Sequence, residues 1–173
     1  MPLLSPSDTI SELPPVSTPV PSSPARPRGT LLIVDDEEGP RQSLRVVFKG
    51  DYDLLIATDG ESAIALARQN KVDVAILDIR MMGMSGIDLL ERLKAVDPQI
   101  EVIMLTAYAA LDSARQAIRL GACDYLTKPF DLPTLRTAVS RMMDRRRLSE
   151  QTRANLLRLS ALAQEIKALQ ARG

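Results

Sequence analysis

Between residues 30 and 143 the sequence alternates short aliphatic runs with amphipathic helical patterns, and no other feature constrains the fold as strongly. The aliphatic runs are TLLIV (30–34), LLIAT (54–58), VDVAIL (72–77), EVIML (101–105) and CDYLT (123–127). The helical patterns cover 40–49, 60–69, 86–95 and 111–120, and a fifth opens at Asp131. This alternation predicts an α/β domain with a parallel sheet and right-handed crossovers. The middle three runs are nearly continuous in apolar residues, so we expect those strands to be covered on both faces.

Turn and cap residues agree with these predicted helices. Gly39-Pro40 places a proline in the first turn of the first helix, where a backbone N–H has no helical partner. Gly121 follows the fourth helix at a C-cap position, and Asp131 can accept N-cap hydrogen bonds at the start of the fifth.

Composition narrows the possible functions. The 173-residue chain has no His and a single Cys, which excludes histidine chemistry, an internal disulfide and a cysteine-based zinc site. Its 22 Lys and Arg balance 22 Asp and Glu, so charge gives no reason to expect direct contact with nucleic acid. We find neither the roughly 20 apolar residues of a membrane span nor a secretory signal. We therefore expect a cytoplasmic protein that does not contact the membrane.

The residues before Thr30 have a different composition. Residues 1–29 hold eight of the twelve prolines, as in SELPPVSTPVPSSPARPRG. Proline fixes φ and removes a donor, and few apolar side chains remain to offset chain entropy. This composition predicts a disordered Pro/Ser-rich tail, with a ligand for a groove-type partner as the alternative.

Residues 144–173 form a predicted helical extension to the α/β domain at 30–143. Its apolar residues follow a 3-4 spacing, and with two polar members they form a distal seam: Leu148, Thr152, Asn155, Leu159, Leu162, Ile166 and Leu169. The face of the fifth helix predicted to cover the sheet consists of Leu132, Leu135, Val139 and Met142. Extended to 146, 149, 153 and 156, that face is one residue out of phase with the distal seam. We therefore expect a homodimer through 144–173, formed by a coiled coil, rather than a helix that frays or docks elsewhere.

Polar residues stand at the carboxyl ends of four predicted strands. They are Asp35 and Asp36, Asp78, Thr106 and Lys128. Ligands of open parallel sheets bind beyond these ends. Two carboxylates about 4 Å apart repel by roughly 4 kcal/mol near a protein surface, so a cation is needed beside Lys128. Mg2+ prefers such oxygen ligands, and a carboxylate can also be the nucleophile that forms an aspartyl-phosphate.

Each of these residues also has a purely structural interpretation. Asp78 could cap a loop, Thr106 could supply a turn hydroxyl, and Lys128 could be a solvated charge. We assign Glu37 and Glu38 to such a role, because they can cap the first helix and oppose its dipole. Asp35, Asp36, Asp78, Thr106 and Lys128 occur together at one edge of the sheet. This favours a functional site over five separate structural roles.

The residues also resemble a known family, the receiver domains of bacterial response regulators, of the CheY type. The resemblance covers 30–143 and is carried by VDDEE (34–38), ILDIRMMGMSGIDLL (76–90), MLTAY (104–108) and GACDYLTKPF (121–130). It implies a doubly wound, flavodoxin-like five-stranded sheet of order 2-1-3-4-5. It also implies a signalling module rather than an enzyme, switched by a sensor histidine kinase or a phosphotransfer protein.

The resemblance implies a role for each matching position. Asp78 matches the phosphoacceptor, which takes a phosphoryl group from a phosphohistidine of the partner. Asp36 and Asp78 match direct Mg2+ ligands, together with the backbone carbonyl of Arg80, whereas Asp35 acts through water. Lys128 would pair with the phosphoryl oxygens, and the family implies a cis peptide bond between it and Pro129.

Two further positions match the switch of the family. Thr106 would hydrogen-bond the phosphoryl group and move inward, and Tyr125 would rotate inward with it. Arg80 and Tyr108 occupy positions that tune hydrolysis in relatives, and their bulk predicts slow loss of the phosphoryl group. Met82 stands where relatives usually have proline, so we expect a more mobile loop after Asp78.

Other functions remain as alternatives. A phosphatase with an aspartate nucleophile needs an acid two residues later, where this chain has Arg80. A dimeric adaptor that is not phosphorylated would not need Asp78, Thr106 and Lys128 together. The basic stretch RMMDRRRLSEQTR (141–153) could serve DNA binding, but no helix-turn-helix follows it. In an N-terminal fragment of a transcriptional regulator, this helix would link to an output domain.

Overall fold

The computed structural model describes residues 29–107 and 110–171, and this part of the chain folds as an α/β domain with a long terminal helix. The strands are β1 (Thr30–Val34), β2 (Asp53–Ala57), β3 (Val74–Asp78), β4 (Glu101–Thr106) and β5 (Asp124–Thr127). The helices are α1 (Glu38–Phe48), α2 (Gly60–Gln69), α3 (Gly86–Val96), α4 (Leu111–Arg119) and α5 (Leu132–Gln170). The strands pair in parallel in the order β2-β1-β3-β4-β5, so the predicted topology is confirmed. Within 30–143 the predicted and observed bounds of the strands and helices differ by at most two residues.

Strand β2 packs against the core on both faces, as expected, but it is less completely buried than the central strands. Strands β3 and β4 are buried along their whole length, as expected, and β1 is buried from Leu31 onward. In β2, however, Leu54, Leu55 and Ile56 are only partly buried. The strand order explains the difference, because β2 lies at the edge of the sheet and has a neighbour on one side only.

Aliphatic side chains fill the space between the sheet and the helices on both faces. Helices α2, α3 and α4 cover one face, where Ile64, Leu89 and Ala117 pack against alternate residues of the central strands. Helices α1 and α5 cover the other face with Phe48 and Val139 among the contacts. Burial of this apolar surface holds the carboxyl ends of β1, β3 and β4 in fixed relative positions.

The predicted turn and cap residues are confirmed at three helix ends. Pro40 lies in the first turn of α1, and Gly121 follows α4 with a φ of 91°. The Asp131 carboxylate accepts a hydrogen bond from the Thr134 N–H at 2.9 Å and caps α5. Glu37 occupies the N-cap position of α1, but among the described residues its side chain makes no capping hydrogen bond.

Helix α5 continues well past the sheet, and a buried arginine lies near the end of its contact with the domain. Arg146 is 4% exposed and lies on the extension of the face formed by Leu135, Val139 and Met142. Leu132, which we expected on this face, is 44% exposed because it lies at the first turn of the helix. From residue 151 to residue 171 every residue of the described chain is exposed.

Arg146 is held by carboxylates from three parts of the chain. Its guanidinium contacts Asp97 at 2.7 Å, Glu150 at 3.2 Å and Asp73 at 3.6 Å. Lys71 contacts the same Asp73 and Glu150, at 3.4 and 2.8 Å. We call these residues, with Arg146, the Arg146 cluster. It fixes the direction in which α5 leaves the domain.

Two expectations concern features away from the core. The predicted Pro/Ser-rich tail at 1–29 lies, apart from Gly29, outside the described residues. Among the helices that the structure describes, none combines the length and the apolar character needed to cross a membrane.

Candidate metal centre at the carboxyl ends of the strands

Three carboxylates meet at the carboxyl edge of the sheet. Asp78 is the last residue of β3, and Asp35 and Asp36 directly follow β1, which is the neighbour of β3. Each of the three offers a carboxylate oxygen, and these oxygens all lie within 4.8 Å of one another. Asp35 and Asp78 are buried, whereas Asp36 is partly exposed. The sequence predicted this convergence because parallel strands end at the same edge of a sheet.

Lys128 provides the positive charge of this cluster. Its ammonium lies 2.8 Å from Asp35 Oδ2 and 3.0 Å from Asp78 Oδ1. The backbone N–H of Lys128 donates to the Thr106 carbonyl at 2.6 Å, which ties the end of β5 to the end of β4. The peptide bond between Lys128 and Pro129 is cis, so that prediction is confirmed.

The pKa values of Asp78 and Lys128 are shifted by their surroundings. Burial raises the pKa of Asp78, and the hydrogen bond from Lys128 opposes that shift only in part. Burial would lower the pKa of Lys128, but the hydrogen bonds to Asp35 and Asp78 outweigh it and raise the pKa. The lysine is therefore a cation at neutral pH, and a further cation beside Asp78 would oppose the rise that burial causes in the pKa of Asp78.

Both oxygens of Asp35 are already engaged. Oδ2 contacts Lys128, and Oδ1 accepts a hydrogen bond from the Glu37 N–H at 2.9 Å. The backbone carbonyl of Asp35 also accepts from the Arg41 guanidinium at 2.8 Å. Asp35 is thus fixed from several directions, which suits a residue that orients water more than one that binds a cation directly.

Asp36 is held by the loop that follows β3. Its Oδ2 accepts a hydrogen bond from the backbone N–H of Met82 at 2.9 Å. A proline at position 82 would have no N–H and could not make this bond. The expectation of a more mobile loop rested on the missing proline alone and did not anticipate this tether.

The predicted switch residues lie in the two strands that follow β3 in the sheet, Thr106 in β4 and Tyr125 in β5. Thr106 is 2% exposed and ends β4 one residue beyond Leu105, the register partner of Asp78. Tyr125 lies in β5, packs against the core on the α2, α3 and α4 face, and buries its hydroxyl. Within the described residues that hydroxyl has no hydrogen-bond partner. Movement of either side chain stays a prediction.

The two residues predicted to tune hydrolysis are less well defined. Arg80 lies two residues beyond Asp78 at the start of the loop and is exposed. Tyr108 lies outside the described residues.

Sequence reasoning missed Gly86 and Arg41, which shape the site, and it missed the contact that Met82 makes there. Gly86 faces the backbone carbonyl of Asp78 so closely that a Cβ could not fit between them. Arg41 and Met82 support Asp35 and Asp36 through backbone groups. Gly86 could have been found from the sequence, because a glycine at the start of a helix is unusual enough to indicate a close contact. The contacts of Arg41 and Met82 could not, because they involve main-chain atoms and do not depend on the type of side chain.

These residues fit a divalent magnesium ion. The set consists of hard carboxylate oxygens from Asp35, Asp36 and Asp78, in line with the ligands that Mg2+ prefers. It contains no His or Cys that would favour a softer metal. Three carboxylates against one lysine also leave a net negative charge, which a divalent cation would offset.

The fold and this arrangement of three carboxylates and a lysine define the class of protein. The family model described as the response regulator receiver domain matches residues 31–140, and the chain belongs to this family. It is therefore a receiver domain of the two-component signalling type, resembling CheY in structure, and the family is one of signalling proteins.

Individual relatives agree with this assignment. The chain is 39% identical over 114 residues to sporulation initiation phosphotransferase F of Bacillus subtilis, covering 65% of this chain and 92% of the relative. It is 36% identical over 124 residues to the regulatory protein AtoC of Escherichia coli, covering 71% of this chain and 27% of the relative. A CheY-like receiver domain protein from Methanospirillum hungatei superposes with a TM-score of 0.68 and 26% identity, over 70% and 98% of the two chains.

The relatives differ in length. The chain spans nearly the whole of the Bacillus phosphotransferase but only about a quarter of AtoC and of the transcriptional regulatory protein ZraR of Klebsiella oxytoca. The activities of those longer proteins are therefore not carried over to this chain.

Proposed function

We propose that this chain accepts a phosphoryl group on Asp78 from a phosphohistidine of a sensor histidine kinase or a phosphotransfer protein, in a Mg2+-dependent reaction in the cytoplasm. The observation that carries the proposal is the contact of the Lys128 ammonium with both Asp35 and Asp78, beside a third carboxylate from Asp36. The donor histidine must come from the partner, because this chain has no His.

In this proposal each residue has a defined task. Asp36, Asp78 and the backbone carbonyl of Arg80 would hold Mg2+, and Asp35 would act through a bound water. The ion, when bound, neutralises charge on the phosphoryl oxygens. A carboxylate oxygen of Asp78 attacks phosphorus, the bond to the donor nitrogen breaks, and its electron pair leaves with the imidazole. Lys128 pairs with a phosphoryl oxygen as charge moves onto it.

Thr106 and Tyr125 would convert phosphorylation into a change of conformation. A hydroxyl that hydrogen-bonds the phosphoryl group stabilises whichever state brings it close, which shifts the population toward that state. The burial of Thr106 at the end of β4 and the enclosed phenol of Tyr125 in β5 support this role.

Loss of the phosphoryl group should be slow. Arg80 and Tyr108 are bulky and lie two residues beyond Asp78 and Thr106, where they would hinder an attacking water. We expect a half-life well above seconds for the isolated phosphorylated protein at neutral pH. Replacing Arg80 and Tyr108 together by Ala should shorten that half-life, and an unchanged half-life would remove this part of the proposal.

The output of the module would be assembly through 144–173. The distal seam supports a homodimer because its Leu and Ile side chains are exposed on a helix that the domain does not cover. A second possible output comes from longer relatives, the regulators ZraR and AtoC, in which a matching segment covers about a quarter of the protein. In that case α5 would link this domain to a DNA-binding output domain in a longer protein.

The proposed reaction is tested by intact mass after incubation with Mg2+ and a small phosphodonor. We expect one phosphoryl adduct on the wild-type protein and none on Asp78→Asn. Asp88→Asn is the matched control, because Asp88 is an exposed acid in the first turn of α3. Absence of an Asp78-dependent adduct would overturn the proposal and leave a dimeric adaptor, whereas sustained turnover of a phosphomonoester would indicate a phosphatase.

A further inference from the structure

We infer that the distal seam of α5 pairs with the same seam of a second copy of this chain in parallel orientation, with Asn155 opposite the partner's Asn155. The inference rests on the proposed homodimer and deepens it by naming orientation and register. It does not depend on phosphorylation of Asp78.

The distal seam is exposed and has the spacing of a coiled coil. Its large apolar side chains are between 48% and 64% exposed: Leu148, Leu159, Leu162, Ile166 and Leu169. With Thr152 and Asn155 they recur at alternating steps of four and three residues, which places them at the a and d positions of a heptad. Thr152, Leu159 and Ile166 fall at a, and the other four fall at d.

The identity of the apolar residues favours two parallel strands. Ile166 at an a position followed by Leu169 at a d position is the pattern of parallel dimers, because the branched side chain packs best at a in that geometry. Leu159 and Leu162 form the layer pair before it.

The polar residues of the distal seam decide the orientation. In a parallel pair every layer meets itself, so Asn155 faces the partner's Asn155 and the two amides can hydrogen-bond each other. An antiparallel pair that overlaps from Thr152 to Leu169 places each Asn155 opposite an Ile166 instead. Each amide would then be buried against an aliphatic side chain with its hydrogen bonds unmade, which is costly.

A possible ion pair between Arg158 and Glu165 favours the antiparallel orientation, but it is too weak to outweigh the Asn155 layer. In the antiparallel pair Arg158 of one chain would lie near the partner's Glu165, which could form an ion pair. That pair would lie at the solvent-exposed edge of the interface, where ion pairs contribute little. In the parallel pair the flanking positions bring no like charges together: Gln151 meets Leu156, Arg158 meets Ala163, and Glu165 meets Gln170.

The domain end of the helix allows the interface to continue. Leu148, the first apolar residue of the distal seam, also lines a groove of about 780 Å3 between α1 and α5, together with Phe48 and Tyr52. The Arg146 cluster holds α5 to the domain on a neighbouring face and leaves this groove open. The two domains would therefore lie side by side at one end of the helical pair, which extends away from the edge that carries Asp78.

Orientation can be measured by disulfide formation between single cysteines placed in the distal seam. Cys123→Ser removes the native thiol, and Thr152→Cys, Leu169→Cys and Gln164→Cys are then introduced one at a time. Gln164 lies on the far side of the helix and serves as the control. Oxidised glutathione is the oxidant, and it is reduced to two glutathione thiols as each disulfide forms.

A parallel pair predicts that Leu169→Cys crosslinks with itself, whereas a mixture of the Thr152→Cys and Leu169→Cys chains gives no mixed dimer above the Gln164→Cys background. A mixed dimer that exceeds both self-crosslinked products would show an antiparallel pair and overturn the inference. A monomer by light scattering at micromolar concentration would overturn it as well, together with the proposed homodimer. Neither outcome bears on phosphorylation, which the intact-mass experiment reports separately.

A separate variant tests whether Asn155 sets the orientation of the helical pair. Asn155→Leu turns the polar layer apolar, so the dimer should dissociate less readily, while the mixed crosslink between positions 152 and 169 should now appear. Unchanged association and crosslinking in Asn155→Leu would show that Asn155 does not lie in the interface. Because residue 155 is exposed and distant from the sheet, circular dichroism should show an unaltered fold for this variant.

Discussion

The backbone carbonyl of Asp78 occupies the space that a side chain would need at Gly86. These two residues lie at opposite ends of the loop between β3 and α3, and the Gly86 N–H also donates to the carbonyl of Ile79 at 2.9 Å. The loop therefore closes tightly behind the carboxylate that we propose as phosphoacceptor. The position of the Asp78 carboxylate therefore depends on Gly86, which sequence reasoning did not single out.

Gly86→Ala should destabilise the domain by about 1–3 kcal/mol, because the added methyl group forces the backbone of Asp78 aside. Urea unfolding measures the change. Gly39→Ala is the matched control, since Gly39 also lies in the first turn of a helix but has no atom within 4 Å of an added Cβ. We expect the control to be neutral or slightly stabilising. Equal changes in the free energy of unfolding of the two variants would show that the Asp78 carbonyl does not restrict the side chain at position 86.

Met82→Pro should weaken Mg2+ binding, because it removes the N–H that holds the Asp36 carboxylate. A lost hydrogen bond of about 1 kcal/mol corresponds to roughly a fivefold rise in the dissociation constant. Isothermal titration calorimetry with Mg2+ measures it without any phosphodonor. Met82→Ala keeps the N–H and should bind Mg2+ like the wild type. If both variants bind Mg2+ equally well, the tether has no role in the metal centre.

Arg146→Met should lower the free energy of unfolding by about 2–3 kcal/mol, because it leaves Asp73 and Asp97 without their buried partner. This is below the 3–5 kcal/mol typical of a broken buried pair, since Asp97 and Glu150 are about one third exposed. Arg147→Met is the control. Within the part of the chain that the structure describes, Arg147 pairs only with the exposed Asp144, so its loss should cost less than about 1 kcal/mol. Urea unfolding of both variants checks the contrast.

The same Arg146 variant should loosen the start of the extension. Limited proteolysis should cut α5 near residue 146 faster in Arg146→Met than in Arg147→Met. Equal cleavage rates would mean that packing by Met142 and Met143, rather than the Arg146 cluster, holds this part of the helix.

Cys123 should react slowly with alkylating reagents at pH 8. Burial raises the pKa of the thiol, and its hydrogen bond to Glu101 raises it further. The rate should therefore increase with pH to a midpoint above that of a free thiol, and Glu101→Gln should lower the midpoint. Arg145→Gln, which removes the ion pair to Glu101 but keeps the carboxylate, should not lower it. An unshifted midpoint in Glu101→Gln would assign the effect to burial alone.

The raised pKa of Cys123 also makes the free energy of unfolding depend on pH. The folded pKa of Cys123 lies above the unfolded value, so the folded state keeps a proton that the unfolded state loses first. The thiol contributes its full stabilisation below the unfolded pKa and loses it as pH rises through the folded pKa. Cys123→Ser should therefore remove part of the alkaline loss of stability.

The meeting of Asp35, Asp36, Asp78 and Lys128 could be predicted from sequence for a physical reason, whereas the order of the strands was implied by the resemblance to receiver domains. Parallel strands all end at one edge, so residues that follow them meet whatever the detailed packing is. The incomplete burial of β2 does not show in its sequence, because an apolar run reads the same in an edge strand and in a central one. Leu132 was misplaced because periodicity does not show where the helix first touches the sheet.

Contacts made by main-chain atoms account for most of what could not be predicted. The Met82 N–H, the Asp35 carbonyl and the space beside Gly86 depend on the path of the loops, which side-chain chemistry does not specify. The buried position of residue 146 could be reached by extending the helical periodicity, but its carboxylate partners come from distant parts of the chain.

The chemical identity of the phosphorylated residue tests the central proposal most directly. Borohydride reduces an aspartyl-phosphate to homoserine, so peptide mapping after phosphorylation with Mg2+ and reduction locates the acceptor in the chain. We predict homoserine at position 78 and unmodified aspartate at 35 and 36, with no conversion when EDTA replaces Mg2+. Homoserine at another aspartate, or none after phosphodonor treatment, would contradict the assignment of Asp78 as the phosphoacceptor.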